Sequence, residues 1–257
     1  TMFQNLRKSK KLLLIAMTCA TFAIAGCGSD TTKTTADNGT SVTWSETFDG
    51  TKTDFAVKSA PTHAVSMSQA TTEMMLQLGL EDKMAGTAFK EEEIYPPLQA
   101  AYDKVKVLSD KWPSYEVFMS VKPDFATGWP DSFSKRAIPA DKMISQKVNI
   151  WIPESMLSTK ADLETNFSDM IKLGEIFGVK PKAEEWVAGQ RKTLAAIQDK
   201  LKDLPRKRVF IYDSEDGQPF TAFEGYTTNI LKLIGADNVM SGLGVDKTWA
   251  KGSWETV

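Results

Sequence analysis

Nothing in residues 181–204 would break a helix, and this constrains the rest of the chain. Ala183, Val187, Gln190, Leu194, Ile197, Leu201 and Leu204 recur at spacings of three and four, which puts them on one helical face. Pro181 suits a first turn, where its missing N–H has no helical partner to lose. Glu184 and Glu185 fall in the first turn and Lys200 and Lys202 near the last, complementing the helix dipole, and Pro205 ends the run. At ~1.5 Å per residue this rod would be ~34 Å long, the width of a small domain. A pattern of apolar strand, turn and helix recurs on both sides of it. The rod therefore reads as a strut between two α/β lobes, with a surface helix of one domain as the alternative.

The 257 residues suffice for one or two domains with cores of their own. The net charge of −2 includes a basic start: Arg7, Lys8, Lys10 and Lys11 are not matched by any acid before residue 27. Without that start, 27 basic face 33 acidic residues, a balance of −6 that disfavours nucleic acid as a partner. Residues 12–24 form an apolar run too short to span a bilayer comfortably, and it ends in Ile24-Ala25-Gly26-Cys27. Positive start, apolar run and small residues before a cysteine are similar to a bacterial lipoprotein signal. They predict cleavage before Cys27 and a diacylglycerol on its thiol. The other reading is a plain secretory signal cut near Ala25. Cys19 leaves with the leader in either case, so the mature chain would hold no disulfide and no thiolate metal site.

The expected organisation is a leader at 1–26 and a flexible, Thr-, Ser- and Gly-rich tether at 27–42. An N-terminal α/β lobe follows at 43–158, connecting helices with the strut at 159–204, and part of a C-terminal lobe at 205–257. Asp49-Gly50 between alternating apolar residues predicts a hairpin. Strands are expected near residues 63–67, 84–87, 106–108, 124–127 and 148–152, and beyond the strut near 208–212 and 220–223. The intervening helices alternate with them, which argues for two lobes built on mostly parallel sheets. In such sheets ligands bind outside the carboxyl ends of the strands.

Several short stretches now acquire a common meaning. Residues 63–73 (His63-Ala-Val-Ser-Met-Ser-Gln-Ala-Thr-Thr-Glu73), Leu78-Gly79-Leu80 and Met84-Ala-Gly-Thr87 open the first lobe. Trp112-Pro-Ser-Tyr-Glu116, Val121-Lys-Pro-Asp124 and Gly128-Trp129 follow. Pro219-Phe220-Thr221, Glu224, Gly235-Ala-Asp-Asn238, Trp249 and Ser253-Trp254-Glu255 come after the strut. In this order and spacing, behind a lipoprotein signal, the chain resembles the substrate-binding lipoproteins of iron-siderophore and cobalamin ABC importers. The resemblance covers residues 61–257. It implies two α/β lobes bridged by one long helix, as the strut suggests independently. Because the family continues past Ser-x-Glu into a further helix and strand, the second lobe here is expected to be truncated.

The resemblance implies a protein, monomeric and not an enzyme, that is held outside the cytoplasm by lipidated Cys27. It would capture a metal chelate, in the first place a ferric siderophore, and deliver it to a permease dimer with its ATPase. A cobalamin or haem binder is the nearest alternative; an adhesion lipoprotein or an enzyme on a related two-lobed fold is a more distant one. No cofactor is expected beyond the transported chelate. The chain offers no cysteine set for a cluster, no Gly-rich phosphate loop and one histidine, His63, so neither direct metal capture nor a Ser-His-Asp mechanism is favoured. Trp112, Trp129 and Trp249 lie in loops flanking strands, where the family builds its cleft; each could instead plug a core. Arg136 could pair with chelate oxygens or be a solvated surface residue. Tyr95 could donate to a ligand or pack its loop. Glu116 and Glu224, each near a helix start, are implied by the resemblance to be docking points for permease arginines.

Overall fold

A computed structural model describes residues 41–257. The leader, Cys19, Cys27 and nearly all of the expected tether lie outside the described residues. No described helix is long and apolar enough to cross a membrane.

The chain opens with β1 (Val42–Phe48) and β2 (Thr51–Val57), paired antiparallel. Asp49 and Gly50 both turn with positive φ (47° and 78°), the geometry of a two-residue hairpin turn and the reason for an Asp-Gly pair there. Next come β3 (Ala64–Ser66), α1 (Gln69–Gln77), β4 (Met84–Ala88), α2 (Gln99–Tyr102), β5 (Val107–Ser109) and α3 (Tyr115–Ser120). They are followed by β6 (Phe125–Thr127), α4 (Ala140–Ser145) and β7 (Asn149–Trp151). These strands form one parallel sheet in the order β5-β4-β3-β6-β7. Parallel strands need both faces covered, and side chains that alternate between faces supply two cores. Ala64 and Phe125 face a core that includes Met75 and Leu76 of α1. Val65, Ala126 and Ile150 face Phe118 of α3, Met143 of α4 and Phe55 of the hairpin.

The hairpin is part of this lobe. Trp44 stacks on Phe55 (5.7 Å between centroids) and its Nε1–H donates to the Ile150 carbonyl at 2.7 Å. Glu46, only 6% exposed, accepts the Ile152 N–H at 2.8 Å.

After β7 the chain runs through α5 (Leu163–Ile176) into α6 (Lys180–Leu201), the expected strut. Asp162 caps α5 in a reciprocal box with Thr165. Gly174 lets the two helices approach closely, since a Cβ there would lie 2.8 Å from that of Ala183. The strut differs from expectation along its length. Ala183 and Val187 are buried against α5, but Ile197 is 40% exposed and the helix ends at Leu201, leaving Leu204 outside it and 59% exposed. The apolar stripe continues past the helix that could bury it. Full burial is confined to the first half of α6; beyond it Leu194 and Leu201 are half-buried and Gln198 donates through Nε2 to the Leu233 carbonyl at 3.2 Å.

Beyond α6 lie β8 (Lys207–Val209), β9 (Ser214–Asp216), β10 (Gln218–Ala222), α7 (Tyr226–Leu233), β11 (Ala236–Asn238) and β12 (Trp249–Lys251). The expected second parallel sheet is replaced by two small sheets. β11 and β8 pair in parallel, while β9, β10 and β12 are antiparallel in the order β12-β10-β9. Gly217, at φ +70°, makes the tight turn that pairs β9 with β10. The fold class is nonetheless as expected: mixed α/β with a central parallel sheet and one long helix. The C-terminal segment is tied back to the segment before α5 by Asn229, whose Nδ2 donates to the Ala161 carbonyl at 2.7 Å.

Burial holds the Glu46 carboxyl at a pKa of about 7, above its ordinary 4.5, with nearby Glu154 and Asp169 adding to the rise against the Ile152 hydrogen bond. A carboxyl whose pKa is raised on folding favours the fold below its unfolded pKa and loses that contribution as pH climbs to the folded value. Stability should therefore fall between pH 4.5 and pH 7 through this group, by on the order of 3 kcal/mol. Glu46→Gln keeps an acceptor for Ile152 without the charge. Urea midpoints from pH 5 to pH 8 should decline for the wild type and much less for the variant; parallel curves would contradict the assignment.

Candidate functional site

The carboxyl ends of β6 and β7 discharge into loops on the same side of the sheet. The β6 loop carries Trp129, Pro130 and Asp131; the β7 loop carries Ser155 and Met156. Opposite them stand Phe220 of β10, Glu224, Tyr226 and Thr227 at the start of α7, and Thr248 and Trp249 at β12. Together they enclose a cleft of about 500 Å³, the size of a site for a small organic ligand.

Each wall is held by buried polar groups. Asp169 on α5, 5% exposed, accepts the N–H groups of Glu154 and Ser155 at 2.8 and 2.9 Å and so fixes the β7 loop. Burial raises the Asp169 pKa even though these hydrogen bonds oppose the rise. The Tyr226 hydroxyl is likewise pushed up, first by burial and then by the charge of Asp169. On the other wall Asn238 donates to the Ala222 carbonyl (2.8 Å) and to the Thr228 hydroxyl (2.7 Å), and accepts the Met240 N–H (3.0 Å). It thereby locks the end of β10 to α7 and β11. Residues 235–238 stood out in the sequence, yet this positioning role was not legible there, because Asn238's partners lie 2 to 16 residues away.

The candidate residues separate into three groups. Trp129 and Trp249 line the cleft from opposite sides, and Trp249, 42% exposed, stacks on Phe220 at 6.2 Å. Trp112 lies behind the wall, and Arg136 is on the surface outside the cleft lining. Trp112 donates through Nε1 to the Met67 carbonyl at 3.0 Å and packs with Phe89 (4.7 Å) and Trp129 (6.4 Å). Arg136 is engaged by Asp131 through an Nη1–Oδ2 contact of 2.6 Å. Tyr95 is elsewhere: it borders a separate groove with Glu73, Met74, Trp186 and Gln190, because its loop is drawn to α1 by Glu73, which accepts the Tyr95 N–H. Phe89 was missed. It holds a left-handed backbone conformation (φ 60°) and packs on both tryptophans, and no spacing rule marks such a residue. Phe220 and Tyr226 also belong to the cleft.

The two glutamates do not sit in equivalent places. Glu116 is exposed in the first turn of α3, behind the Ser114 cap, and its pKa is lowered by its own backbone amide and by Ser114. Glu224 instead lines the cleft, half-buried, and accepts the Gly242 N–H and the Ser241 hydroxyl. Glu255 repeats the local order of Glu116. Ser253 accepts the Glu255 N–H and opens a 3₁₀ turn, Trp254–Thr256, where Ser114 accepts the Val117 N–H and opens α3, and both glutamates are exposed. The repeated Ser-aromatic-Glu was the available signal. Among the described residues, no cluster of three or more His, Cys, Asp or Glu could hold a metal.

Residues 65–257 match the family described as periplasmic binding protein. The uncharacterized ABC transporter substrate-binding lipoprotein YvrC of Bacillus subtilis (strain 168) is 27% identical over 237 residues, 90% of this chain and 73% of that protein. The vitamin B12-binding protein of Vibrio vulnificus (strain YJ016) is 25% identical over 190 residues, and the match spans 73% of this chain and 65% of that protein. The crystal structure of a periplasmic binding protein from Veillonella parvula DSM 2008 superposes with a TM-score of 0.83 at 99% identity, over 85% of this chain and 74% of that one.

Removing the Asn238 side chain would strand the Met240 N–H and two partners at the cleft wall. Asn238→Ala should cost on the order of 2 kcal/mol in chemical denaturation. Asn238→Asp, which keeps the acceptor and loses the donor, should not restore the difference. An unchanged midpoint in the alanine variant would remove Asn238 from this role.

Proposed function

Since the chain belongs to the periplasmic binding protein family of ABC importers, we propose that it captures a metal chelate in the cleft and presents it to a permease dimer driven by an ATPase. The observation that carries this reading is the cleft itself: Trp129, Phe220, Tyr226 and Trp249 offer flat apolar faces from both sides of the chain, beside a few polar groups. Large, amide- or aromatic-bearing chelates suit such walls. A ferric siderophore is the first candidate. Cobalamin is the second, favoured by the vitamin B12-binding relative. The protein acts as a binder and carries out no reaction on its ligand. Lipidation at Cys27 would hold it to the membrane outside the cytoplasm, with residues 27–42 as a tether. Residues 43–158 form the N-terminal lobe in this reading, 159–204 the connection and 205–257 the C-terminal part.

Tryptophan fluorescence tests the cleft. Ferric siderophores and cyanocobalamin, titrated separately, should produce saturable quenching with at least one of them. Trp129→Ala should weaken that binding about tenfold, the loss of one buried aromatic contact. No response to any ligand would overturn the proposal.

Docking is assigned to Glu116 and Glu255, each exposed behind a serine cap. Exposed charges of this kind set encounter rate and orientation. The pair Glu116→Lys and Glu255→Lys should leave chelate binding intact and depress uptake in cells. In a binding assay with the permease the loss should be greater at low salt than at high, because exposed pairs are screened. Normal uptake by the double variant would exclude these positions.

A further inference from the structure

The charges around the cleft narrow the class of ligand, given the binding function proposed above. Two acidic side chains, Asp131 and Glu224, line it, and among the described residues no lysine or arginine does. Three cations near the lining residues have partners of their own. Arg136 is paired with Asp131 at 2.6 Å; Lys111 lies over the Phe89 ring at 4.7 Å; Lys247 lies over the Phe223 ring at 5.7 Å. Behind the wall, buried Asp169 adds a further acidic group. The amino end of α7 borders the cleft and has no side-chain cap. It supplies about half a positive charge, and Glu224, two residues before its first, lines the cleft beside it with its carboxylate hydrogen-bonded by Ser241 and Gly242.

We infer that the cleft selects chelates that are uncharged or positively charged and rejects anionic ones. An anion entering this space would give up its hydration and meet carboxylates, with no lysine or arginine among the described lining residues to replace the water. A neutral chelate loses little hydration and gains the aromatic faces of Trp129, Tyr226 and the stacked Phe220–Trp249 pair. A cationic chelate gains Glu224 in addition. Among ferric siderophores this favours trihydroxamates, which wrap the metal with three negative charges and come out neutral or carry a pendant amine. It disfavours tricatecholates, which retain three negative charges around the same ion. Among tetrapyrrole ligands it favours cyanocobalamin over haem with its two propionates.

The test compares ligands that share a metal and differ in charge. Ferrioxamine B (cationic), ferrichrome (neutral) and ferric enterobactin (trianionic) are titrated by tryptophan fluorescence, alongside cyanocobalamin and haemin. At low salt the best uncharged or cationic ligand should bind at least tenfold more tightly than any anionic one. The ratio should shrink as salt rises. Asp131→Asn combined with Glu224→Gln frees Arg136 and removes both lining carboxylates, so it should reduce the ratio about tenfold. Ferric enterobactin or haemin binding as tightly as the best uncharged ligand would overturn the inference and leave the binding function standing. Failure of all five probes to bind would overturn both.

Discussion

Two buried carboxylates, Glu46 and Asp169, hold the chain between β7 and α5 by accepting its amide hydrogens at Ile152, Glu154 and Ser155. That segment cannot satisfy its own amides, because it leaves a parallel sheet at its carboxyl end and has no strand to pair with. An unpaired amide in such a place would be costly. The carboxylates come from the hairpin on one side and α5 on the other, so one loop is fixed by two elements far apart in sequence. Ser155 and Met156 then present to the cleft from a rigid backbone. Binding walls are most precise when their support is built in this way.

The opposite wall is built differently. Here a hairpin turns at Gly217, β10 and β12 pair antiparallel, and Asn238 gathers β10, α7 and β11 through its side-chain amide. The wall is less deeply buried than the first. Trp249, Tyr212 and Trp254 remain substantially exposed, and Tyr212 and Trp254 stack on each other at 6.2 Å. The two sides of the cleft therefore differ in build: a doubly covered parallel sheet faces a small antiparallel one. The first turns of α6, packed on α5 through the Gly174–Ala183 contact, anchor the firmer side.

The sequence shows most clearly where periodicity and turn chemistry act alone. Asp49-Gly50 marks the hairpin, Ser68 and Ser114 mark helix starts, and the apolar strands at 64–66, 125–127 and 149–151 mark a buried parallel sheet. Each is a local preference that nothing in the fold opposes. The strut was also legible, but its apolar stripe runs to Leu204, whereas full burial ends at Val187 and Leu194 and Leu201 are half-buried. Periodicity reports which face is apolar and not what lies against it. The second sheet was misread for a related reason: a strand's partner and direction depend on a turn, and Gly217 was passed over.

The candidate site follows the same division. Composition, order and spacing of short segments determined the family, the α/β class and the presence of tryptophans on loops beside strands, because these depend on the chain alone. Which aromatic groups meet is a property of the folded chain. Trp129 and Trp249, 120 residues apart, line the two sides of one cleft, while Trp112 turns its indole N–H to Met67 and Tyr95 follows its loop to α1. Charge was decided by folding too. Arg136 is an unassigned cation in the sequence and a paired one in the structure, because a 3₁₀ turn places Asp131 at 2.6 Å from it. Residue identities set what each side chain can do; tertiary packing decides what it has left to offer a ligand.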